Sequence, residues 1–298
     1  MLSRVIVSRP RVIESISEMQ TVSDDARLTG NRVTLVPTMG YLHEGHASLI
    51  RRARRDGDVV VVSIFVNPTQ FGPGEDYESY PRDFERDLEL IERCGGEVVF
   101  APTEEEMYPD GFTTHADVVG LTDHLCGASR PGHFRGVATV VAKLFTACRP
   151  HAAVFGQKDA QQAMVIRRLS RDLNLGVEIL VSPTIREADG LARSSRNVYL
   201  SEGERAAAPV LFHALQAGQR LALKGERRRE HLISAMRAEI ERSELADIDY
   251  VEAVSADRLR QDEDLNDSFL LAVAVRFGRA RLIDNILVSS DPQRPESA

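Results

Sequence analysis

His43 and His46 stand three positions apart, with Glu44 and Gly45 between them, directly after Val33-Thr34-Leu35-Val36-Pro37-Thr38-Met39-Gly40-Tyr41-Leu42. The stretch predicts a short buried strand, a tight loop and the N-terminus of a helix running from about Gly45 to Arg55. A helix N-terminus offers unpaired N–H groups and positive dipole charge, so it favours an anion such as phosphate. Gly40 and Gly45 allow close backbone approach or unusual dihedrals. Two imidazole donors there suit a phosphorus centre whose charge spreads over its oxygens, and ATP is the ligand this predicts. Two alternatives stand beside it. One is a metal pair, although zinc helices usually space histidines i, i+4 and no third ligand is evident. The other is a purely structural pair.

Two further stretches could join this chemistry. Gly156-Gln157-Lys158-Asp159 leaves a predicted strand and enters a helix carrying Gln162, four residues after Lys158. On one helix face, Lys and Gln together suit a ligand bearing both carboxylate and phosphate. Arg193-Ser194-Ser195-Arg196-Asn197 is a polar loop whose donors could close over a triphosphate, with Gly190 letting it move as a lid. Alone, each reads equally well as a solvated loop. Arg51–Arg55 reads as a solvated helix end favoured by the C-terminal dipole, and Arg227-Arg228-Arg229 as a surface cluster.

The elements that must position these residues follow from periodicity. Residues 10–30 are polar, helical around Val12–Met19, and turn at Gly30-Asn31. Val33–Val36, Val59–Val66, Val98–Phe100, Ala152–Phe155 and Val177–Val181 read as strands. Ala47–Arg55, Phe84–Cys94, Phe134–Cys148 and Ala160–Leu173 read as helices, and residues 102–133 are less regular. Strands alternating with helices imply right-handed parallel crossovers, hence an α/β, Rossmann-like doubly wound parallel sheet. In such sheets ligands bind beyond the carboxyl ends of the strands, where the 37–46, 67–80 and 156–159 loops emerge. After Pro183 the pattern changes to a long helix over Glu202–Leu223, another over 228–242, and strands at Ile248–Val254, Leu270–Arg276 and Arg281–Leu287. This predicts a smaller α+β C-terminal lid domain, with domains at 1–184 and 185–298. The tail after Ser289 reads as disordered.

Composition narrows the class. The 298 residues carry a formal net charge of −8, which argues against a nucleic-acid partner. It does not exclude anionic small substrates in a locally positive pocket. The three cysteines, Cys94, Cys126 and Cys148, form no CxxC or Cys/His pattern. Reduced thiols and a cytoplasmic protein are expected. Met1–Met19 lacks the apolar segment of a signal peptide, and Val59–Val66 is too short to span a bilayer, so no membrane partner is expected.

At this point a resemblance enters. His43–His46 resembles the HIGH-type signature of class I aminoacyl-tRNA synthetases and nucleotidyltransferases, and Ser194-Ser195-Arg196 is similar to their KMSKS-type signature. PTMGYLHEGH, NPTQF, YPRD, RPGHFRGV, FGQKDAQQ and READGLARSSRNVYLS, in that order between Pro37 and Ser201, resemble the pantoate–β-alanine ligase (pantothenate synthetase) family, as does RLIDN near the end. The resemblance implies a carbon–nitrogen ligase of pantothenate biosynthesis. ATP and pantoate would give pantoyl adenylate and pyrophosphate, and β-alanine would then give pantothenate and AMP, with Mg2+ and commonly a homodimer joined through N-terminal domains. It implies that Met39, Gly40, Tyr41, Leu42, His43, Glu44, Gly45 and His46 line ATP, with His46 the proton donor and His43 a second phosphate contact. Gly156, Gln157, Lys158, Asp159 and Ile185 would also bind ATP, Lys158 neutralising phosphate and Asp159 facing the ribose. Ser194, Ser195 and Arg196 would hold the phosphates. Arg193 stands where the family often carries Met and would lie over adenine or offer only its backbone. Gln70 and Gln162 would bind pantoate, Gln70 also lying at the β-alanine position. Asn67, Tyr80, Arg130 and His133 match family motifs near the site. The metal ligands are not implied.

Two rival readings share parts of this pattern. An adenylyltransferase would use the same histidines but keep AMP in its product, and Gln70, Gln162 and the second domain favour the ligase. A non-catalytic nucleotide sensor or RNA-binding module is disfavoured by the acidic charge and the full set of site residues.

Overall fold

Valine- and isoleucine-rich runs alternate with amphipathic helices, and in the computed structural model, which describes residues 9–266 and 268–289, they build two units. The first takes the chain up to Val118, Pro131–Gly156 and Gln162–Ser182. The second takes Val119–Arg130, Gln157–Gln161 and the chain from Pro183. The tail after Ser289 lies outside the described residues.

The first unit runs β1 (Arg11–Ile13), α1 (Ile16–Leu28), β2 (Val33–Thr38), α2 (Glu44–Asp56), β3 (Val59–Ile64), a 3-10 turn at Pro68–Gln70, α3 (Phe84–Cys94), β4 (Val98–Phe100) and α4 (Glu104–Met107). After α5 (Leu125–Ser129), which belongs to the second unit, come α6 (His133–Cys148), β5 (Ala152–Gly156), α7 (Ala160–Asp172) and β6 (Glu178–Ser182). The six strands form one parallel sheet in the order β1-β4-β3-β2-β5-β6. The order reverses between β2 and β5, and in such sheets the crevice for a ligand opens at that switch, beyond the carboxyl ends of the strands.

The central strands are buried on both faces, which is why β3 is an unbroken Val-Val-Val-Val run rather than an alternating one. Val36, Leu42, Ile50, Val60, Val62, Leu88, Ile91 and Val99 share one core. Strand β1 falls where the polar 10–30 stretch suggested only helix. Three residues are too few to show a period, and their partner, Val98–Phe100, lies far along the chain. Helix α1 therefore starts later, at Ile16, capped by Ser15, whose hydroxyl accepts from Glu18 N at 3.3 Å.

The second unit adds a 3-10 turn at Ser195–Tyr199, α8 (Glu202–Ala207), α9 (Val210–Leu223), α10 (Arg229–Ile240), β7 (Asp247–Ser255), β8 (Ser268–Phe277) and β9 (Ala280–Ser289). The strands pair antiparallel in chain order. Leu211, Leu215, Leu232, Met236, Phe269, Leu271 and Phe277 make its core. The single helix expected over Glu202–Leu223 is two helices. Pro209 caps α9 and has no N–H to continue α8, so the alanine- and leucine-rich sequence breaks there. The arginine cluster is also not a free surface run. The Arg227 guanidinium lies 5.6 Å from the Phe269 ring centroid and bonds Ala222 O at 2.7 Å, while half-buried Arg229 pairs with Glu252.

Ahead of α10, the Glu226 carboxylate accepts from the backbone N–H groups of Arg227 and Arg228, both at 2.9 Å, and lies 2.7 Å from His231 Nδ1. The Arg228 N–H first, then His231, pull its pKa down to about 2 from an ordinary 4.5. A depressed carboxyl contributes stability that is complete above the unfolded value and is lost as pH falls through the folded one. Between pH 4.5 and 2, Glu226→Gln is therefore expected to lose less stability than the parent, measured as urea midpoints across that window. Equal acid sensitivity of the two proteins would remove this role.

Among the described residues, no helix is long and apolar enough to cross a membrane. All three cysteines are free and buried.

Candidate active site

The turn after β2 is where local chemistry is densest. Thr38, at the end of the strand, donates its hydroxyl to Ser63 O at 2.6 Å and accepts from Gly40 N at 3.2 Å. Gly40 (φ +84°) and Tyr41 (φ +51°) are then both left-handed. For a tyrosine this conformation costs roughly 1–2 kcal/mol, so something must hold it. Asp87 of α3 does so. Its Oδ2 accepts from Tyr41 N at 2.7 Å and its Oδ1 from Leu42 N at 2.6 Å. The side chain of Leu42 drops into the core, and the Arg86 guanidinium lies 5.0 Å from the Tyr41 ring centroid.

The chain then enters α2 through a capping box built from the two histidines. His43 is the N-cap and its Nδ1 accepts from Gly45 N at 3.1 Å. His46, at N3, accepts from His43 N through its own Nδ1 at 3.3 Å. Histidine replaces the Ser/Thr and Glu/Gln of the usual box. The consequence is chemical. An Nδ1 that accepts carries no proton, so each neutral ring bears its hydrogen on Nε2. The rings lie 4.2 Å apart at 38°. The box thus fixes two imidazole N–H donors beside the positive end of α2, an arrangement able to stabilise charge building on phosphate oxygens.

A second cluster in the same unit surrounds Gln70. Asn67 is 1% exposed. Its Nδ2 donates to Gln70 Oε1 at 3.1 Å and to Gly136 O at 3.2 Å, and its Oδ1 accepts from Tyr108 OH at 2.7 Å and Thr69 Oγ1 at 3.0 Å. Gln70 Nε2 lies 3.1 Å from Met39 Sδ, so the Gln70 amide has a defined orientation. His133, the first residue of α6, donates Nδ1–H to Gln70 O at 2.8 Å, since a carbonyl can only accept. Tyr80 is buried, its ring edge-on to Phe71. Gln162 is half-buried on α7, and Gly156 closes β5.

The second unit holds the remaining expected residues. Gln157, Lys158 and Asp159 form a 3-10 turn rather than the first turn of α7, so α-helical i, i+4 spacing does not describe Lys158 and Gln162. Asn285 of β9 clamps that turn. Its Nδ2 donates to Gln157 O at 3.0 Å and Lys158 O at 2.8 Å, and its Oδ1 accepts from Gln157 Nε2 at 3.0 Å. Lys158 Nζ lies 3.4 Å from Asp159 Oδ1. Next to Asn285, Asp284 is 3% exposed and takes a bidentate pair from Arg186, whose guanidinium also lies 4.1 Å from the Phe212 ring centroid. Burial pushes the Asp284 carboxyl up and Arg186 pulls it back.

Arg193 N donates to Ile185 O at 2.9 Å, which ties the serine loop to the strand-end segment, while its side chain is exposed. Ser194 Oγ accepts from Arg196 N at 3.3 Å, and Ser195 is buried. Lys158, Ala192, Ser194, Asn197, Phe212 and Asp284 line one small cavity. The turn at Glu187–Gly190 is held by Arg205, which bonds both Asp189 Oδ2 and Glu187 Oε2 at 2.6 Å and holds the Asp189 carboxyl below its usual range. Half-buried Arg130 ends α5.

Sequence reasoning gave no role to Asp87, nor to Asn285 and Gln161, which it met only within the RLIDN and FGQKDAQQ blocks. Gln161 donates to Leu121 O at 2.9 Å and His124 O at 2.7 Å and accepts from Cys126 N at 3.0 Å, giving shape to the irregular 121–126 stretch. Two signals were readable. Asp87 occurs on the same helical face as Ile91 and Cys94, where an unpaired carboxylate would be costly. Gln161 precedes Gln162 on the helix.

Known proteins are similar to this chain across nearly its whole length. A family model described as pantoate-beta-alanine ligase matches residues 11–287. The pantothenate synthetase of Acetivibrio thermocellus is 52% identical over 278 residues, covering 93% of this chain and 99% of that protein. That of Roseiflexus sp. is 56% identical over 280 residues, covering 94% and 100%. The crystal structure of pantothenate synthetase from Thermus thermophilus superposes with a TM-score of 0.87 at 47% identity, covering 93% of this chain and 98% of that one. A pantoate-beta-alanine ligase from Francisella tularensis, solved in complex with beta-gamma ATP and beta-alanine, gives 0.75 at 33% identity, covering 93% and 97%. The parallel sheet and the antiparallel second unit match known structures, and the family model covers nearly the whole chain: the chain belongs to the pantoate–β-alanine ligase family.

Proposed function

We infer that this protein condenses pantoate with β-alanine at the expense of ATP, forming pantothenate, pyrophosphate and AMP through pantoyl adenylate. The observation that carries the mechanism is the capping box, which commits both imidazoles of His43 and His46 to Nε2–H donors at a helix N-terminus. A carboxylate attacking the α-phosphate of ATP meets like-charge repulsion. Donors held in place before reaction offset it without reorganising.

In the first step a pantoate carboxylate oxygen forms a bond to the α-phosphorus, and the bond to the pyrophosphate oxygen breaks. His46 donates its Nε2–H to the phosphate charge that develops, and His43 is the second phosphate contact. Lys158 and Arg196 neutralise phosphate, and Ser194 and Ser195 hold it. Met39 to His46, Gly156, Gln157, Ile185 and Arg193 line the nucleotide, and Asp159 faces its ribose. Gln70 and Gln162 hold pantoate. Support for Gln70 comes from Asn67, which engages its Oε1, while His133 holds its backbone. Tyr80 and Arg130 complete the surroundings. In the second step the β-alanine amine attacks the activated carbonyl beside Gln70, the carbon–nitrogen bond forms, AMP leaves with the acyl–oxygen electron pair, and the nitrogen gives up a proton to solvent.

Mg2+ is proposed as the ion accompanying ATP, offsetting phosphate charge when bound. Among the described residues no group of three or more His, Cys, Asp or Glu could hold a metal. The beta-gamma ATP and beta-alanine bound to the Francisella tularensis protein support the two ligand classes. A homodimer, a cytoplasmic setting, and division of labour between a nucleotide- and pantoate-binding domain at 1–184 and a lid at 185–298 complete the proposal, resting on the family resemblance.

The test is incubation with ATP, Mg2+ and pantoate, with and without β-alanine. Labelled pyrophosphate should exchange into ATP without the amine, and AMP should accumulate only with it. ATP bound without any pantoate-dependent exchange would overturn the reading.

A further inference from the structure

We propose that Asp87 is a positioning residue for the nucleotide turn, its carboxylate holding Gly40–Leu42 in the conformation from which His43 and His46 cap α2. The proposal rests on the reading that Met39–His46 serves ATP.

Two consecutive left-handed residues, one of them a tyrosine, persist only where the surroundings over-determine them. Asp87 supplies that constraint from another element. It is the fourth residue of α3, is 1% exposed, and spends one oxygen on Tyr41 N and the other on Leu42 N. Hydrogen bonds to an ionised acceptor are about twice as strong as neutral ones. Space is equally tight, since a Cβ on Gly40 would lie 3.1 Å from Asp87 Oδ2 and 3.1 Å from Ile64 Cγ2. The next residue after the anchored pair is the His43 N-cap, so any rotation at Tyr41–Leu42 carries the imidazole box with it.

Burial raises the Asp87 pKa above the ordinary 3.8, and the N–H groups of Leu42 and Tyr41 only partly offset this. A raised carboxyl means the folded state holds the proton more tightly than the unfolded chain, so ionisation at neutral pH weakens folding. Geometry is what the side chain supplies: both of its oxygens are engaged on one loop, at Tyr41 N and Leu42 N.

The test uses Asp87→Asn and Asp87→Glu in the full chain. It reads amide exchange at Tyr41 and Leu42 by NMR, thermal midpoint, and kcat and KM for ATP in pyrophosphate exchange. For Asp87→Asn, the expected result is faster exchange at those two amides with β3 still protected, and kcat/KM for ATP lower by on the order of tenfold. Asp87→Glu, which keeps the charge but displaces it, should recover part of both. A merely structural role would lower the midpoint and loosen all core amides together. Unchanged protection at Tyr41 and Leu42 with kcat/KM for ATP within about twofold would overturn the proposal. If Asp87→Asn does not fold, Asp87→Glu decides by the same criteria. The amide readout needs no activity, so a parent protein without pyrophosphate exchange would overturn the proposed function while exchange at Tyr41 and Leu42 still judged Asp87.

Discussion

Replacing His46 by alanine is expected to lower the rate of adenylate formation by ~10²–10³-fold, the usual cost of removing one donor aimed at developing charge. The substitution also removes the N3 half of the capping box, whose loss costs α2 about 1 kcal/mol. The two effects separate by size and by variant. A stability loss of that order leaves a protein with the usual margin of ~5–15 kcal/mol folded, so it cannot account for the rate. Glutamine at N3 can also accept from the N-cap N–H, so His46→Gln should restore the cap but not the imidazole donor. Pyrophosphate exchange and thermal unfolding measured on parent, Ala and Gln forms decide the matter. A folded His46→Ala protein with near-normal exchange would take His46 out of the mechanism.

The second large effect is expected at Gly136. In a helix interior, Gly→Ala ordinarily stabilises by about 1 kcal/mol. Here a Cβ would stand 2.2 Å from Thr69 O, 2.5 Å from Thr69 C and 2.7 Å from Gln70 Cα, all backbone atoms that cannot swing aside. Overpacking a core costs ~1–3 kcal/mol even where side chains can yield, so the clash wins over helix propensity. The thermal midpoint should fall by several degrees. The strain lands on the 3-10 turn carrying Gln70 and on the Asn67 bond to Gly136 O, so KM for pantoate should rise more than KM for ATP. Steady-state kinetics with each substrate varied, beside calorimetry, tests this. A Gly136→Ala protein as stable as the parent would show that helix and turn can separate without cost.

What could be read from the sequence was what is local. The parallel sheet is legible because Val59–Val62 is an unbroken β-branched run and because Phe84, Leu88 and Ile91 repeat at helical spacing. The histidine pair is legible because cap, glycine and N3 residue are contiguous. The capping box itself was not, since histidine is not a usual box residue. Asp87 stands out on the apolar face of its helix, but its role escaped because its partners, Leu42 N and Tyr41 N, lie 45 and 46 positions away. The break at Pro209 was written in the chain, but alanine and leucine on either side outweighed it. The 119–130 stretch could not be read at all from propensity. Its order comes from the Gln161 amide, and from Arg281, which bonds Ser129 Oγ at 3.1 Å and Asp249 at 2.6 Å.

The Asn285 clamp has a consequence for how the protein is made. The turn that presents Lys158 is tied down by a residue 127 positions later, on the last strand of the chain's second sheet. Synthesis proceeds from the N-terminus, so a nascent chain that has already folded β2, α2 and their histidine cap still lacks the partner for Gln157 and Lys158 until β9 leaves the ribosome. The parallel sheet can be complete while the lysine turn is not. A chain released early, ending before Asn285, would carry every signature residue from His43 to Arg196 and yet hold Lys158 on an unsecured turn.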